Sequence, residues 1–386
     1  MAPAACLLCE SPRTTPVVRL ERVPALTNTF WPSAEAAREA PRGTVALVAC
    51  HDCGLLANVA FRGDLASYDP GYDNSIHFSA VFQAYVDELV TRLIGRHDLR
   101  DKRVVEIGCG SGDFLAALCR AGGNHGVGFD PSHDVRRRPP VGGDVVIRAE
   151  PFPAQGLVAD LVVARHVLEH VADPGRFLRS IRAALGEGSE AVLYFEVPNA
   201  AAMLEHEAIW EVIHEHCTYF TRASLDLAFR RAGFLPERTG TALDGQYLWI
   251  EARVNGRGTD PPAPARCEVL PAEAVAAFGR AFEHRRRRWR RRLAHRGHEH
   301  VAVWGAGAKG VMFLNLVDPD GRIPTVVDVN PHKQGRHVPA TGQVIMAPGD
   351  LGARPPAEVI VMNPVFEDEI RATLVSHGID AEISVA

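Results

Sequence analysis

The sequence predicts an α/β protein in three parts: a small cysteine-bearing module over residues 1–70, one α/β unit over 71–255 and a second over 256–386. Three observations predict it. Apolar strand-like runs alternate with helical patterns from about residue 75 to about residue 255, as in a parallel sheet covered by helices on both faces. The stretch Asn255–Pro264 (NGRGTDPPAP) breaks every periodic pattern and reads as a linker, after which the alternation resumes. Two Cys-x-x-Cys pairs precede both units.

Composition sets the bounds. The chain has 386 residues, enough for two or three domains of about 100–200 each. It is 46% hydrophobic and 23% charged, as globular proteins are. No run of about 18 apolar residues occurs, so no membrane span is expected. The 42 basic and 47 acidic residues leave a net charge of −5, which argues against an evenly basic surface for nucleic acid. Eight cysteines are too few for a disulfide scaffold. The opening Met-Ala-Pro-Ala-Ala-Cys lacks the basic and apolar parts of an export signal, so a reduced, cytoplasmic protein is expected. Lysine occurs only at 102, 309 and 333, a skew read as genome composition.

Cys6-x-x-Cys9 and Cys50-x-x-Cys53 come first, with 40 residues between the pairs. Each turn lets two sulfurs reach one ion, and two turns complete the tetrahedral Cys₄ set that Zn²⁺ prefers. With four protein ligands the ion is structural. Val17–Val48 must then form its own loop or hairpin, and His51 is the one nearby competitor. Unpaired cysteines or a redox pair are the alternatives. Cys109, Cys119, Cys217 and Cys267 stand alone and are read as packing.

The second part shows strand-like runs at Arg103–Ile107, His125–Phe129, Ala159–Ala164, Glu190–Phe195 and Tyr247–Val254. Helical patterns lie at Asp113–Ala121 and Pro174–Leu185. Between the first run and its helix lies Glu106-Ile-Gly108-Cys-Gly110-Ser-Gly112. Glycines there allow the backbone to approach a ligand and the helix N-terminus to face it. About 20 residues on, Gly126-Val-Gly-Phe-Asp130 ends a strand with a carboxylate suited to a ribose diol. Together with Asp160-Leu-Val-Val-Ala-Arg165-His166-Val-Leu-Glu-His170, these motifs resemble the class I S-adenosylmethionine (SAM) methyltransferases. The resemblance implies that Gly108, Gly110, Gly112 and Asp130 bind SAM and that Arg165 and His166 border it.

Further on, His214-Glu215-His216-Cys-Thr-Tyr219 follows a strand and the turn Glu196-Val-Pro-Asn199, at the end of a sheet where α/β enzymes place their sites. A histidine beside a carboxylate can take a proton near neutral pH. The alternative is that the histidines cap the helix starting near Thr221, with Thr221–Ser224 as its cap. After the linker come a helix from Ala272 to about Arg292, a strand His300–Trp304, a helix from about Lys309, and strands at Thr325–Asp328 and Val359–Met362.

The whole chain is similar to the sugar C-methyltransferases that act on nucleotide-linked 4-keto deoxysugars. The motifs that carry this are His214-Glu-His-Cys-Thr-Tyr-Phe220, Gly305-Ala-Gly-Ala-Lys309-Gly310 and Asp328-Val-Asn330-Pro-His-Lys333-Gln-Gly335. The resemblance implies a Cys₄ zinc module, a class I SAM methyltransferase domain and a Rossmann-like acceptor domain. It makes His216 the general base with Glu215 and His214 beside it, Tyr72 and Tyr219 hydroxyl donors to an enolate, and Lys309, Asn330 and Lys333 acceptor-binding residues. Tyr68-Asp-Pro-Gly-Tyr72-Asp-Asn-Ser75 resembles the segment that closes over the cofactor. Two departures lie near the substrate: Ile213 stands where the family has Tyr, and Met362-Asn363 where it has Trp-Asn.

Alternatives remain at this point. A SAM enzyme could methylate oxygen or nitrogen. Gly305-x-Gly307-x-x-Gly310 with Asp328 about 20 residues on meets the dinucleotide fingerprint and could bind NAD. The run Arg285–Arg292 could grip a diphosphate or nucleic acid, although an exposed helix end explains it as well. The expected partner is a small-molecule acceptor, with neither membrane nor nucleic acid involved.

Overall fold

A computed structural model describes residues 5–68, 71–133, 144–152, 156–255 and 270–386. The linker from residue 256 onward, Cys267 and the Asp-Pro pair of the Tyr-rich segment lie outside the described residues.

Strands β1 (Thr14–Pro24) and β2 (Arg42–Cys50) pair antiparallel, with the short helix α1 (Ala34–Arg38) between them, and β3 (Leu56–Asn58) extends the sheet. The segment between the cysteine pairs is thus a hairpin. Burial alternates along β2, as expected of a sheet with one face in a core.

Helix α2 (Ala80–His97), which the sequence patterns above left unassigned, is N-capped by Ser79, whose hydroxyl accepts from Phe82 N. The second sheet then builds from β4 (Arg103–Ile107), α3 (Asp113–Gly122), β5 (His125–Phe129), β6 (Val145–Arg148), β7 (Leu161–Arg165), α4 (Pro174–Leu185) and β8 (Val192–Pro198). After α5 (Ala200–Glu205), the two-residue strand β9 (Thr218–Tyr219) leaves this sheet and pairs with β3. Helix α6 (Arg222–Arg231), β10 (Phe234–Ala242) and β11 (Tyr247–Val254) complete the unit.

The strand order is β10-β11-β8-β7-β4-β5-β6, parallel except that β11 runs against both neighbours. It reverses direction between β4 and β7, and α/β proteins bind ligands at such a point. Strands β4 and β7 are almost wholly buried, as a sheet covered on both faces requires.

The third sheet follows α7 (Ala272–Arg296). It is made of β12 (Val301–Trp304), α8 (Ala308–Val317), β13 (Thr325–Val327), β14 (Ile345–Met346), β15 (Glu358–Val361), α9 (Glu367–Ser376) and β16 (Glu382–Val385). All five strands are parallel, in the order β14-β13-β12-β15-β16.

The cores do not respect chain order. Leu20, Val45 and Leu47 of the N-terminal sheet share one core with Trp210, with Phe278, Phe282 and Trp289 of α7 and with Phe313 of α8. Apolar area leaves water wherever faces meet, whatever their distance along the chain. Cys6, Cys50, Cys53 and Leu55 join Phe195 and Phe229 on one face of the second sheet, while α2 and α3 cover the other. No helix among the described residues is long and apolar enough to cross a membrane.

Candidate functional site

The first glycine loop joins β4 to α3 at the reversal point. Gly108, Gly110 and Gly112 have φ of 70°, 55° and 83°, a region that favours glycine. A Cβ on Gly108 would stand 2.3 Å from Val167 Cγ2, so this glycine serves close packing. A Cβ on Gly110 would meet nothing within 4 Å, so the turn opens to free space there. Gly112 is the N-cap of α3 and leaves its first N–H groups without a side-chain partner. Asp130, just beyond β5, accepts from Gly110 N at 2.7 Å and from Ser132 N and Oγ at 2.8 and 2.6 Å. These bonds aim its carboxylate at the loop. Glu106 on β4 is buried with one oxygen unpartnered, and burial pushes its carboxyl up to about 8. An open glycine turn, uncapped helix N–H groups and two carboxyls suit a cationic, diol-bearing cofactor such as SAM.

Arg165 ends β7, His166 follows it, and the two form an ion network with buried carboxylates. Arg165 Nε lies 3.1 Å from Glu196 Oε1 and its guanidinium stacks on Phe114. His166, itself at φ 54°, lies 3.2 Å from Glu196 and 3.5 Å from Glu169. Burial opposes its charging, but the two carboxylates outweigh burial and raise it to about 9.

The His-Glu-His triplet sits on a turn that sends its side chains to different places. His214 is fully buried against the N-terminal sheet. Its Nδ1 lies 3.2 Å from Ala25 O, and its ring leaves no room for a side chain at Gly43. The structure does not bring it to the other two. Glu215, also fully buried, points at Thr27, whose N–H donates at 3.1 Å and whose hydroxyl donates to the same oxygen. Its other oxygen is unpartnered. The carboxylate therefore faces Thr27 and His170, not the imidazole next to it in sequence. Burial raises Glu215, against the charge of His170 and the Thr27 bonds.

His216 is half-buried, its ring edge-on to His170 at 4.8 Å and 5.4 Å from that of Tyr219, with Nδ1 unpartnered. Burial, then the charges of His170 and His166, hold it well below its ordinary range, so it is neutral and able to accept a proton. The cap expected at Thr221–Ser224 forms as a reciprocal box on α6, and the histidines take no part in it.

Of the two expected hydroxyl donors, Tyr72 faces the cluster and Tyr219 does not. The Tyr219 hydroxyl donates to Ile213 O at 3.1 Å and accepts from Ile213 N at 2.9 Å, which consumes it. Tyr68 takes a place the motifs did not assign: its hydroxyl lies 2.9 Å from His170 Nδ1 and its ring packs edge-on to Tyr72 at 5.0 Å. His170 closes the quoted Arg165–His170 run and was legible there. Thr27 and Asn28 carried no signal. Glu169, His170 and His216 also bring three donor atoms within 4.8 Å. Of the three, His170 Nδ1 bonds Tyr68 and Glu215 O at 3.2 Å, while one oxygen of Glu169 and Nδ1 of His216 have no partner.

The second glycine loop differs. A Cβ on Gly310 would stand 1.8 Å from Gly305 O, so the loop closes on itself. Asp328 accepts from Ala306 N at 2.9 Å and Asn330 N at 2.8 Å, and the buried Lys333 Nζ lies 3.4 Å from it. A cation against the carboxylate that would take a ribose weakens the NAD alternative. Lys309 instead reaches out, 2.8 Å from Glu211 and 2.9 Å from Gln246, which Asn363 also bonds. Asn330 Nδ2 donates to Ser75 O at 3.3 Å, on the segment that includes Tyr72.

The four cysteines converge. Cys6 Sγ is 3.6 Å from Cys53 Sγ and Cys9 Sγ is 3.5 Å from Cys50 Sγ, with all four within 4.8 Å of one another. Four thiolates at about 2.3 Å from a tetrahedral Zn²⁺ stand about 3.8 Å apart, so the donor set fits that ion. His51 is turned to Thr15 at 2.5 Å and is no ligand. The arginine run has partners too. Arg285 donates to His206 O, Arg290 to Leu316 O, and Arg292 pairs with Glu358 at 2.5 Å. Helix α7 continues to Arg296, so these residues lie within the helix and not at its exposed end.

A family model described as methyltransferase domain matches residues 79–237, and one described as C-methyltransferase C-terminal domain matches 265–378. The chain is similar to the C-methyltransferase NovU of Streptomyces niveus, 28% identical over 200 residues, 49% of this chain and 45% of that protein. It is 33% identical over 124 residues to the ubiquinone biosynthesis O-methyltransferase of a Methylobacterium species, 29% of this chain and 49% of that protein. The chain thus spans about half the length of the curated relatives it matches. A solved structure, the magnesium protoporphyrin IX methyltransferase of Synechocystis with S-adenosylhomocysteine, aligns at 18% identity and a TM-score of 0.36. That alignment covers 45% of this chain and 84% of that one.

Proposed function

We propose, from the two domain models that match residues 79–237 and 265–378, that the chain is a SAM-dependent C-methyltransferase and that it methylates a carbon next to a ketone. The acceptor class is a nucleotide-linked deoxysugar or a related metabolite. The observation that carries the reading is His216: neutral, with an unpartnered ring nitrogen, against the residues that follow the carboxyl end of β7.

Gly108, Gly110, Gly112 and Asp130 hold SAM, which when bound supplies an electrophilic methyl group. His216 takes the proton from the acceptor carbon, and the C–H electron pair moves into the enolate. The developing charge on the ketone oxygen needs donors, and Tyr72 and Tyr68 are the hydroxyls at hand. The protonated His216 returns its proton to solvent after transfer. Lys309 and the Gln246–Asn363 pair face the seam between the second and third units, where the acceptor is held. Cys6, Cys9, Cys50 and Cys53 hold a structural zinc ion, remote from these steps.

Mass spectrometry of products from SAM and a panel of nucleotide-linked keto-sugars tests the reading, alongside solvent-deuterium exchange into the acceptor without SAM. His216→Asn is expected to abolish exchange and transfer while leaving SAM affinity within about twofold. A methylated product formed with no exchange at carbon overturns C-methylation in favour of oxygen or nitrogen transfer.

A further inference from the structure

Residues Ala25–Trp31 connect β1 to α1, and nearly every one of them reaches into another part of the molecule. Ala25 O faces His214 Nδ1 at 3.2 Å. Thr27, fully buried, gives both its N–H and its hydroxyl to one oxygen of Glu215, 188 residues away. Asn28 O accepts from Asp73 N at 2.8 Å, the Asn28 side chain bonds the Tyr72 hydroxyl, and Thr29 bridges Tyr72. The Phe30 ring lies 5.2 Å from Lys333 Nζ, and Trp31 pairs with His337. One short strap from the cysteine-bearing module thus grips the His-Glu-His turn, the Tyr-rich segment and the C-terminal unit.

We propose that Thr27 is the positioning residue of the proton-transfer site, acting through Glu215. The inference rests on reading His216 and its neighbours as the site of acceptor deprotonation. Two donors on one oxygen fix the carboxylate and leave its other oxygen turned to the cluster. Main-chain Glu215 O holds His170 Nδ1 at 3.2 Å, and the His170 ring stands edge-on to His216 at 4.8 Å. A chain of contacts therefore runs from Thr27 through Glu215 and His170 to the base. A residue that aims another acts on rate with little effect on affinity, and loss of such support costs about 10–100-fold.

Charge follows the same route. His170, Glu169, Tyr68, Tyr72 and Tyr219 all lie within electrostatic reach of Glu215, and the Thr27 bonds favour its ionised form against burial. Removing the Thr27 hydroxyl moves protonation of Glu215 to higher pH.

The test compares Thr27→Val, an isostere without the hydroxyl, with Thr27→Ser in the full zinc-loaded chain. Thr27→Val is expected to lower kcat and SAM-independent deuterium exchange by about 10–100-fold, with KM and SAM affinity within about twofold. The acid limb of its pH–rate profile moves up, and Thr27→Ser restores rate and limb to within about threefold. In a Glu215→Gln background Thr27→Val adds nothing, because the partner it acts through is neutral. Wild-type rate and acid limb in Thr27→Val, or an equal loss in the Glu215→Gln background, overturns the proposal; the second readout holds even where Thr27→Val lowers stability. Absence of exchange and of transfer in the wild type with every keto acceptor overturns the underlying reading instead.

Discussion

Gly110→Ala separates a cofactor cradle from a glycine kept for chain geometry. Gly110 has φ 55° and open space where its Cβ would be. The substitution therefore meets no protein atom and costs only the left-handed backbone, about 1–2 kcal/mol. Gly123, the C-cap of α3, has φ 62° and the same open surroundings, and it lies at the other end of that helix. Gly123→Ala supplies the backbone cost without the site. Each variant is expected to lower Tm by about 1 °C per kcal/mol in a chain of this size. Calorimetric titration with SAM then distinguishes them. The new methyl group at Gly110 stands in the space the turn leaves open, so affinity falls at least tenfold, about 1.4 kcal/mol. At Gly123 it is unchanged. Gly108→Ala completes the set: its Cβ would stand 2.3 Å from Val167, so its Tm falls furthest of the three. Equal SAM affinity in Gly110→Ala and Gly123→Ala would refute the assignment of the turn to SAM.

Two further outcomes are expected. Metal analysis gives one zinc per chain, and Cys6→Ser or a chelator removes it and lowers Tm; native protein free of metal sinks the zinc assignment. His166, raised to about 9 from 6.5, stabilises the fold fully below pH 6.5, and that contribution of up to about 3 kcal/mol is lost as pH rises through 9. Glu106, pushed up to about 8, acts in the same direction from pH 4.5 upward and is half protonated at pH 8, so the imidazole is isolated by comparing slopes with a His166 variant. Urea midpoints between pH 8 and 9.5 should fall more steeply in the wild type than in His166→Gln, which keeps the contributions of Glu106 and of buried thiols such as Cys119, pushed up to about 11. Parallel slopes would remove the ion network as the cause.

Much of the fold is legible because its signals are local. Arg103–Ile107, His125–Phe129 and Pro174–Leu185 are found where their patterns place them. Val192–Pro198 begins two residues later than the Glu190–Phe195 pattern and Leu161–Arg165 is similarly displaced, since strand ends are set by pairing with neighbours. Strand β6 shows only partial burial, as an edge strand does, and its apolar run Val145-Val146-Ile147 is only three residues long. In the candidate site, the glycine turn and Asp130 were readable from spacing, and His216 from its motif. The expectation that Glu215 serves the imidazole beside it does not hold in space, because the turn sends the two side chains apart. Tyr219 lies near His216 but spends its hydroxyl on Ile213, a fact that no pattern of residue types contains.

By itself, then, the sequence determined the α/β class, the order of its parts, the two glycine turns and the four-cysteine set. Each of these rests on residues within one turn or one strand of each other, or on a ligand type that admits few alternatives. Only the tertiary structure decided that His214 packs against Gly43 and that Lys333 sits on Asp328. It also decided that Thr27 holds Glu215 across 188 residues. Those pairings depend on which apolar faces meet when three sheets bury their surfaces together, and burial has no memory of sequence distance. The arginine skew illustrates the same division. Composition made it visible, but the partners of Arg285, Arg290 and Arg292 appear only once α7 lies against the neighbouring elements.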